Sequence, residues 1–303
     1  MLARIGRILG RIKRSLLCKF AIKSSYANRN DVNSNDTTKN GETNFYIEIA
    51  NPEKTVVPQS AWMPLYPELQ QVDGWQLHSG ILILLEERTQ GDIAERFSTH
   101  IEEVVPHVYR CQLFSRETAQ KVSEELTRYM EYNKEGDEAN SMHEYGIVLD
   151  SLGWTEALQG ILFRIQSIFL DKFPYIQGYA LDHHHSFMVL YSDTTNRYLD
   201  FHADDSELTF NWCLQNNAVG TELYVQGRRC AEHRQTTHHV SEYAQIEQIE
   251  NTVLIHSGDH RHGVLPLLQG QRMSIITWAK SSAYRKSDIS STCHVGCDID
   301  HVR

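Results

Sequence analysis

Disulfide-forming cysteines, clustered cations and a secretory signal are what this chain of 303 residues has little of. Six cysteines scattered over that length do not make a disulfide framework, so a reducing, intracellular setting is expected. Acidic residues are missing from the first thirty positions, which carry eight Lys or Arg, whereas the remainder holds 21 basic against 39 acidic side chains. A body that acidic lacks the concentrated positive charge that phosphate binding needs, which excludes nucleic acid as an expected partner of the globular part. Apolar runs in the first 25 residues reach only two or three positions, against the roughly 20 that span a bilayer. Internal repeats and low-complexity tracts are also missing. With 41% hydrophobic residues the chain can nevertheless bury a sizeable core.

Those first residues do contain an amphipathic pattern. Leu2, Ile5, Ile8, Leu9, Ile12 and Leu16 recur at helical spacing, with Arg4, Arg7, Arg11 and Arg14 on a separate face. Residues 1–23 are therefore expected to contact a membrane surface or an import machinery, as a mitochondrial targeting segment does, with a solvated basic arm on a cytoplasmic protein as the alternative. Residues 24–44 are rich in Asn, Ser, Thr, Asp and Gly and complete a basic leader and polar linker over 1–44. Residues 45–105 form a lead-in region in which Trp62, Tyr66 and Trp75 suggest packing, Pro58, Pro64 and Pro67 break long elements, and no chemistry is evident.

From Pro106 the pattern becomes regular. A strand over 107–114 is followed by a helix capped by Ser115, with Ala119, Val122, Leu126 and Met130 as its apolar stripe. A polar loop carrying Asn140, Ser141 and Met142, placed before a strand at 146–149, has a position from which it can reach a substrate. A helix over 155–171 follows, with Leu158, Leu162, Ile165 and Phe169 buried. Strands are expected at 185–191, 207–214, 221–225, 252–256 and 271–280, separated by turns at Gly220, Gly227, Gly258 and Gly270. Successive strands without alternating helices predict an antiparallel sandwich or barrel. The domain is placed at 106–285 and a C-terminal tail at 286–303.

The chemistry concentrates in LDFHADDSELTFN (199–211) and HRHGVLPLLQGQRMSIITW (260–278). His202 and Asp204 are two apart, so on an extended backbone they project from one face. With His262, 60 residues downstream, they supply two imidazole nitrogens and one carboxylate, the facial donor set of non-haem Fe(II) centres. The strand at 207–214 sets Thr209, Asn211 and Cys213 against Leu208, Phe210, Trp212 and Leu214, a polar face opposite an apolar one. Arg272 and Ser274 share a face of the last strand, and an arginine directed inward needs an anionic partner, for which a bidentate carboxylate is suited. His183, His184 and His185 alternate faces on a strand and are read as strand entry rather than as a chelate. Cys293 and Cys297, spaced C-x3-C without a neighbouring second pair, are read as part of a tail rather than as a zinc site.

These blocks resemble the Fe(II)- and 2-oxoglutarate-dependent dioxygenases, in particular the prolyl- and lysyl-hydroxylase-like branch. Tyr191 stands eleven residues before an HxDxSxxTxN block (His202, Asp204, Ser206, Thr209, Asn211), and an HxHGxxPxxxGxR block follows (His260, His262, Gly263, Pro266, Gly270, Arg272). The resemblance departs from its relatives at Gly220-Thr221, where paired glycines are frequent. It implies a mixed, mainly β fold: a double-stranded β-helix (jelly-roll) core with supporting α-helices. It further implies Fe(II) on His202, Asp204 and His262, and 2-oxoglutarate held by Arg272 with Ser274, Tyr191 and Asn211. Dioxygen is the implied oxidant, with ascorbate admitted as an accessory reductant. The expected reaction is hydroxylation of an unactivated C–H, on a prolyl or lysyl side chain of a protein or peptide. A small-molecule oxygenase and a non-catalytic barrel used as a binding module are the alternatives.

Overall fold

The computed structural model describes residues 62–88, 93–133, 146–287 and 293. The leader and linker, the loop with Asn140, Ser141 and Met142, and Cys297 lie outside the described residues. Two antiparallel sheets make the core. The larger has seven strands in the order β1 (Ile101–Val105), β2 (Val108–Cys111), β10 (Thr252–Ser257), β6 (Leu208–Asn216), β13 (Arg272–Lys280), β4 (His183–Tyr191), β3 (Gly146–Val148). The smaller has four, β5 (Leu199–His202), β11 (His260–Val264), β8 (Leu223–Arg228), β9 (Tyr243–Ile246), and a two-stranded ribbon pairs β7 (Val219–Gly220) with β12 (Leu267–Gln269). Strands that follow one another along the chain are thus dealt between two sheets, the double-stranded β-helix expected from the sequence.

The alternation read in β6 explains why there are two apolar cores. Phe210, Trp212 and Leu214 point outward, where with Ile275 and Val253 they pack under helices α1 (Ser79–Arg88), α3 (Arg116–Tyr132) and α4 (Thr155–Leu170). Phe187, Val189, Tyr191 and Leu254 of the large sheet face Leu199, Leu223, Val225 and Val264 of the small one. Thr209 and Asn211, on the other face of β6, are buried polar residues. The helices therefore cover one face of the large sheet and leave the other for a site between the sheets.

The helices form where periodicity and capping place them. Ser115 accepts a hydrogen bond from the Thr118 N–H (3.1 Å) at the start of α3, and α4 buries Leu158, Leu162, Ile165 and Phe169. In α3 the buried stripe ends on Tyr129 rather than Met130, because Trp62 docks edge-on against the Tyr129 ring at 5.0 Å. The lead-in region contributes more than its sequence showed. It supplies α1, α2 (Ile93–His100) and β1, and a short 3-10 turn, Pro67–Gln70, that buries Leu69.

One charged contact anchors that region. Glu125 on α3 is fully buried and its carboxylate accepts the backbone N–H groups of Leu65 (3.0 Å) and Tyr66 (2.7 Å). Charge-assisted bonds of this kind are each worth more than neutral ones, and two partly buried N–H groups lose their acceptor if the carboxylate goes. Glu125→Ala is expected to cost about 2–4 kcal/mol in denaturant unfolding and to open the segment near residue 65 to limited proteolysis.

Candidate metal and co-substrate site

The small sheet brings the two histidines together. His202 ends β5 and His262 lies directly opposite it on β11, with ring centroids 4.2 Å apart. Asp204 follows β5 and its N–H donates to the Gly258 carbonyl (2.9 Å). Gly258 is required for that approach, since a Cβ there would lie 2.0 Å from the Ser206 carbonyl oxygen. Gly263 is needed for a similar reason: its missing side chain leaves room for the Tyr224 ring across the ladder, 2.3 Å from where a Cβ would stand. These contacts give HxD and HxHG a steric origin.

The electrostatics show what the cluster can hold. His202 Nδ1 lies 2.7 Å from the Asp200 carbonyl and His262 Nδ1 2.8 Å from the His260 carbonyl. A carbonyl can only accept, so each Nδ1 carries a proton, which leaves Nε2 as the atom of each ring that can bind a metal. Those two Nε2 atoms face the Asp204 carboxylate at 3.3 and 3.7 Å, and one donor atom from each of the three residues falls within 4.8 Å of the others. Burial alone would raise the Asp204 carboxyl, but the neighbouring imidazoles of His262, His202 and His256 outweigh it and hold the group below the usual carboxylate range. Burial pushes His262 down to about 3, helped by His202. Two imidazole Nε2 atoms and an ionised carboxylate converging in one space make a donor set that a cation completes. The donor set fits Fe(II).

Asp204 is steadied from the opposite sheet. Thr209 Oγ1 on β6 donates to Asp204 Oδ2 at 2.6 Å, a role its place in the motif did not reveal.

Arg272 stands in the same cavity as the triad, which Tyr191, Asn211, Thr209 and Trp278 also line. The register of β13 on β4 sets Arg272 beside Tyr191, whose ring lies 4.5 Å from the guanidinium. Its Nη1 donates to Ser274 Oγ (2.8 Å) and its Nε to Thr221 Oγ1 (3.2 Å). Nη2 is buried with no hydrogen-bond partner among the described residues, and so is Asn211 Oδ1. A buried guanidinium with an unused donor costs several kcal/mol unless an anion completes it, and a carboxylate accepts from it in the bidentate geometry that arginine favours. The residues therefore fit a 2-oxo acid with a distal carboxylate. Ser274 is set apart from the others: it touches Arg272 and does not line the cavity.

Thr221 went unread in the sequence except as a departure from paired glycines. Its backbone is left-handed at φ 64°, which costs a residue with a β-branched side chain about 1–2 kcal/mol. It is also fully buried. The hydroxyl on Arg272 accounts for a residue that the backbone alone would replace with glycine.

Of the other histidines, His256 and His260 are buried beside the cluster. The His184 ring bonds the Thr155 carbonyl at 3.0 Å and Ser186 at 2.8 Å, the strand-entry role expected of it.

With this geometry in place, known proteins can be compared. The model of the OGFOD2-like domain family matches residues 59–173. The chain is 35% identical over 170 residues to the 2-oxoglutarate and iron-dependent oxygenase domain-containing protein ICU11 of Arabidopsis thaliana, across 54% of this chain and 43% of that protein's length. It is 29% identical over 246 residues to the 2-oxoglutarate and iron-dependent oxygenase domain-containing protein 2 of Xenopus tropicalis, across 80% of this chain and 67% of the relative. The chain is similar in sequence to 2-oxoglutarate and iron-dependent oxygenase domain proteins, and it spans less than half the length of the Arabidopsis relative. A solved prolyl-4-hydroxylase of Pseudomonas putida is similar with 13% identity and a TM-score of 0.40, covering 66% of this chain and 98% of that one. The OGFOD2-like match ends before the first candidate metal-site residue and spans the helices α1–α4 and strands β1–β3 that back the barrel.

Two outcomes follow from the site. Thr221→Gly is expected to leave thermal stability unchanged or raised while weakening 2-oxoglutarate binding several-fold in calorimetry, because the strain and the hydroxyl leave together. The second concerns acid. His256, His260 and His262 are each held below the usual imidazole value of 6.5, chiefly by burial. They stay neutral when folded, while the unfolded chain takes up protons below that value, so unfolding binds protons and stability falls with pH. Denaturant midpoints of metal-free protein are expected to decline as pH drops below about 6.5 and to be flat from there to pH 8.

Proposed function

We propose that the chain is an Fe(II)- and 2-oxoglutarate-dependent hydroxylase acting on a protein side chain of prolyl or lysyl type. The observation that carries the reading is the meeting, in one cavity, of two imidazole Nε2 atoms, one ionised carboxylate and an arginine donor with no hydrogen-bond partner among the described residues.

His202, Asp204 and His262 would hold the iron, and Arg272 would take the far carboxylate of 2-oxoglutarate. Bound together, iron and 2-oxoglutarate let dioxygen convert a C–H to a C–OH, with succinate and carbon dioxide as co-products. The protein's own contribution is arrangement. The Asp200 and His260 carbonyls keep the Nε2 atoms directed inward, Thr209 and the Gly258 carbonyl fix Asp204, and Ser274 and Thr221 hold Arg272 at the far end. Phe187, Val189, Leu223 and Val264 line the cavity with apolar surface that excludes water.

A protein substrate is supported by the resemblance of the two motif blocks to prolyl and lysyl hydroxylases and by the placement of β5. That strand is the outer one of the small sheet and ends on His202. Its outer edge, which pairs with no strand among the described residues, can accept an extended peptide by main-chain hydrogen bonds and bring a side chain toward the metal.

The test is conversion of 2-oxoglutarate to succinate by purified protein with Fe(II), followed by mass spectrometry of proline- and lysine-containing peptides for added oxygen. Asp204→Ala is expected to abolish both, and Arg272→Ala to raise the 2-oxoglutarate requirement at least tenfold with much less change in the iron requirement. Turnover that survives Asp204→Ala would remove the assignment of the triad, and oxidation of small molecules but no peptide would move the substrate class.

A further inference from the structure

We propose that Cys230, His233 and Cys293 form a second metal centre, a zinc clip that ties the chain's C-terminal tail to the loop after β8. Three donor atoms, one from each residue, lie within 4.8 Å of one another, and both cysteines are thiols. His233 Nδ1 is 3.1 Å from Cys230 Sγ and 3.6 Å from Cys293 Sγ. Zn–S bonds near 2.3 Å and Zn–N bonds near 2.0–2.1 Å at tetrahedral angles separate sulfur from nitrogen by about 3.5 Å. The donors thus already stand close to the edges of a zinc tetrahedron.

The local fold explains how the first two donors meet. Cys230 precedes a 3-10 turn, Ala231–His233, that closes with the His233 N–H on the Cys230 carbonyl at 3.1 Å. In a 3-10 turn residues three apart eclipse, so C-x-x-H puts sulfur and imidazole on one side. Cys293 comes from far along the chain, 60 residues after His233. This is why the C-x3-C spacing of the tail gave no zinc reading: the partners of Cys293 lie far upstream, and their pairing is a product of the tertiary fold.

The loop needs such a clip. From Arg229 to Glu242 it reads RCAEHRQTTHHVSE, and its one large apolar side chain, Val240, is 93% exposed. It has no hydrophobic means of packing. Its base is held by buried Arg229, which bonds Glu242 through both Nη atoms (2.7 and 2.8 Å) and Thr236 through Nε (3.0 Å), and by buried Arg261, which donates to the carbonyls of Thr236 and Gln226. Cys230 and His233 belong to the first turn beyond that base.

The donor set decides the metal. Two thiolates and an imidazole are soft ligands that select zinc, whereas the nitrogen and oxygen set of the first site suits Fe(II). The two centres are chemically distinct but adjoin: Cys230, Ala231 and Arg234 wall the same surface cleft as Asp204, Asp205 and Asp259. A metal at Cys230 therefore fixes one wall of the approach to the iron site.

The experiment is metal analysis of full-length protein, washed with a mild chelator to remove weakly held iron. The expected content is about one zinc per chain, retained in Asp204→Ala and reduced at least tenfold in Cys230→Ser and in Cys293→Ser. Replacement by Co(II) is expected to give sulfur-to-metal charge-transfer absorption in wild type and none in Cys293→Ser, whose fold is checked by circular dichroism because residue 293 lies outside the core. Zinc kept by both serine variants, zinc lost only with Asp204, or a Cys230–Cys293 disulfide in place of metal would overturn the proposal.

Discussion

Two backbone carbonyls, those of Asp200 and His260, govern what the centre of this barrel can do. Each binds the Nδ1–H of a histidine two residues ahead, so each keeps a proton on Nδ1 and turns Nε2 toward Asp204. The same i to i+2 relation recurs on β5 and on β11, and the register that puts His202 opposite His262 brings the two arrangements face to face. The metal site is therefore a property of strand pairing. A shift of one residue in that register would point one of the two rings away from the cavity.

The large sheet supplies the other half. β13 runs between β6 and β4, so its inward face can carry Arg272 beside Tyr191 while its outward face packs under the helices. Holding a guanidinium there without a carboxylate is expensive, and the molecule accepts a left-handed threonine to do it. Strain and desolvation are concentrated at the place where a dicarboxylate would relieve one of them. The buttress on the outside, with Glu125 pinning the lead-in segment and Trp62 docked on Tyr129, keeps the large sheet rigid enough for that placement.

Much of this was legible in the residues. Alternation in β6 separated its buried outer face from its polar inner face, helical periodicity located α3 and α4, and the HxD, HxHG and GxR spacing drew the site residues out of a chain with sixteen histidines. What stayed hidden has common physical causes. The short strand β11 buries polar residues because its environment is a site, and β5 is only four residues long with an exposed Asp200, so hydrophobic pattern could not find them. Thr221 hides because a strained φ has no signature in composition. Thr209 and Asp204 are joined across two sheets, and Cys293 meets Cys230 and His233 only through the completed fold. The region from Trp62 to Val105 looked silent since proline breaks its elements, yet it carries a strand and two helices of the same unit.

The central claim is that one cavity binds a metal at His202, Asp204 and His262 and a 2-oxo dicarboxylate at Arg272. An anaerobic crystal structure with Mn(II) and 2-oxoglutarate tests it most directly. The account predicts Mn(II) bonded to both Nε2 atoms and the Asp204 carboxylate, with the distal carboxylate on Arg272 Nη2 and the Ser274 and Thr221 hydroxyls still bonded to the guanidinium. Metal seated on Nδ1, metal bound elsewhere, or a co-substrate carboxylate that does not reach Arg272 would contradict it.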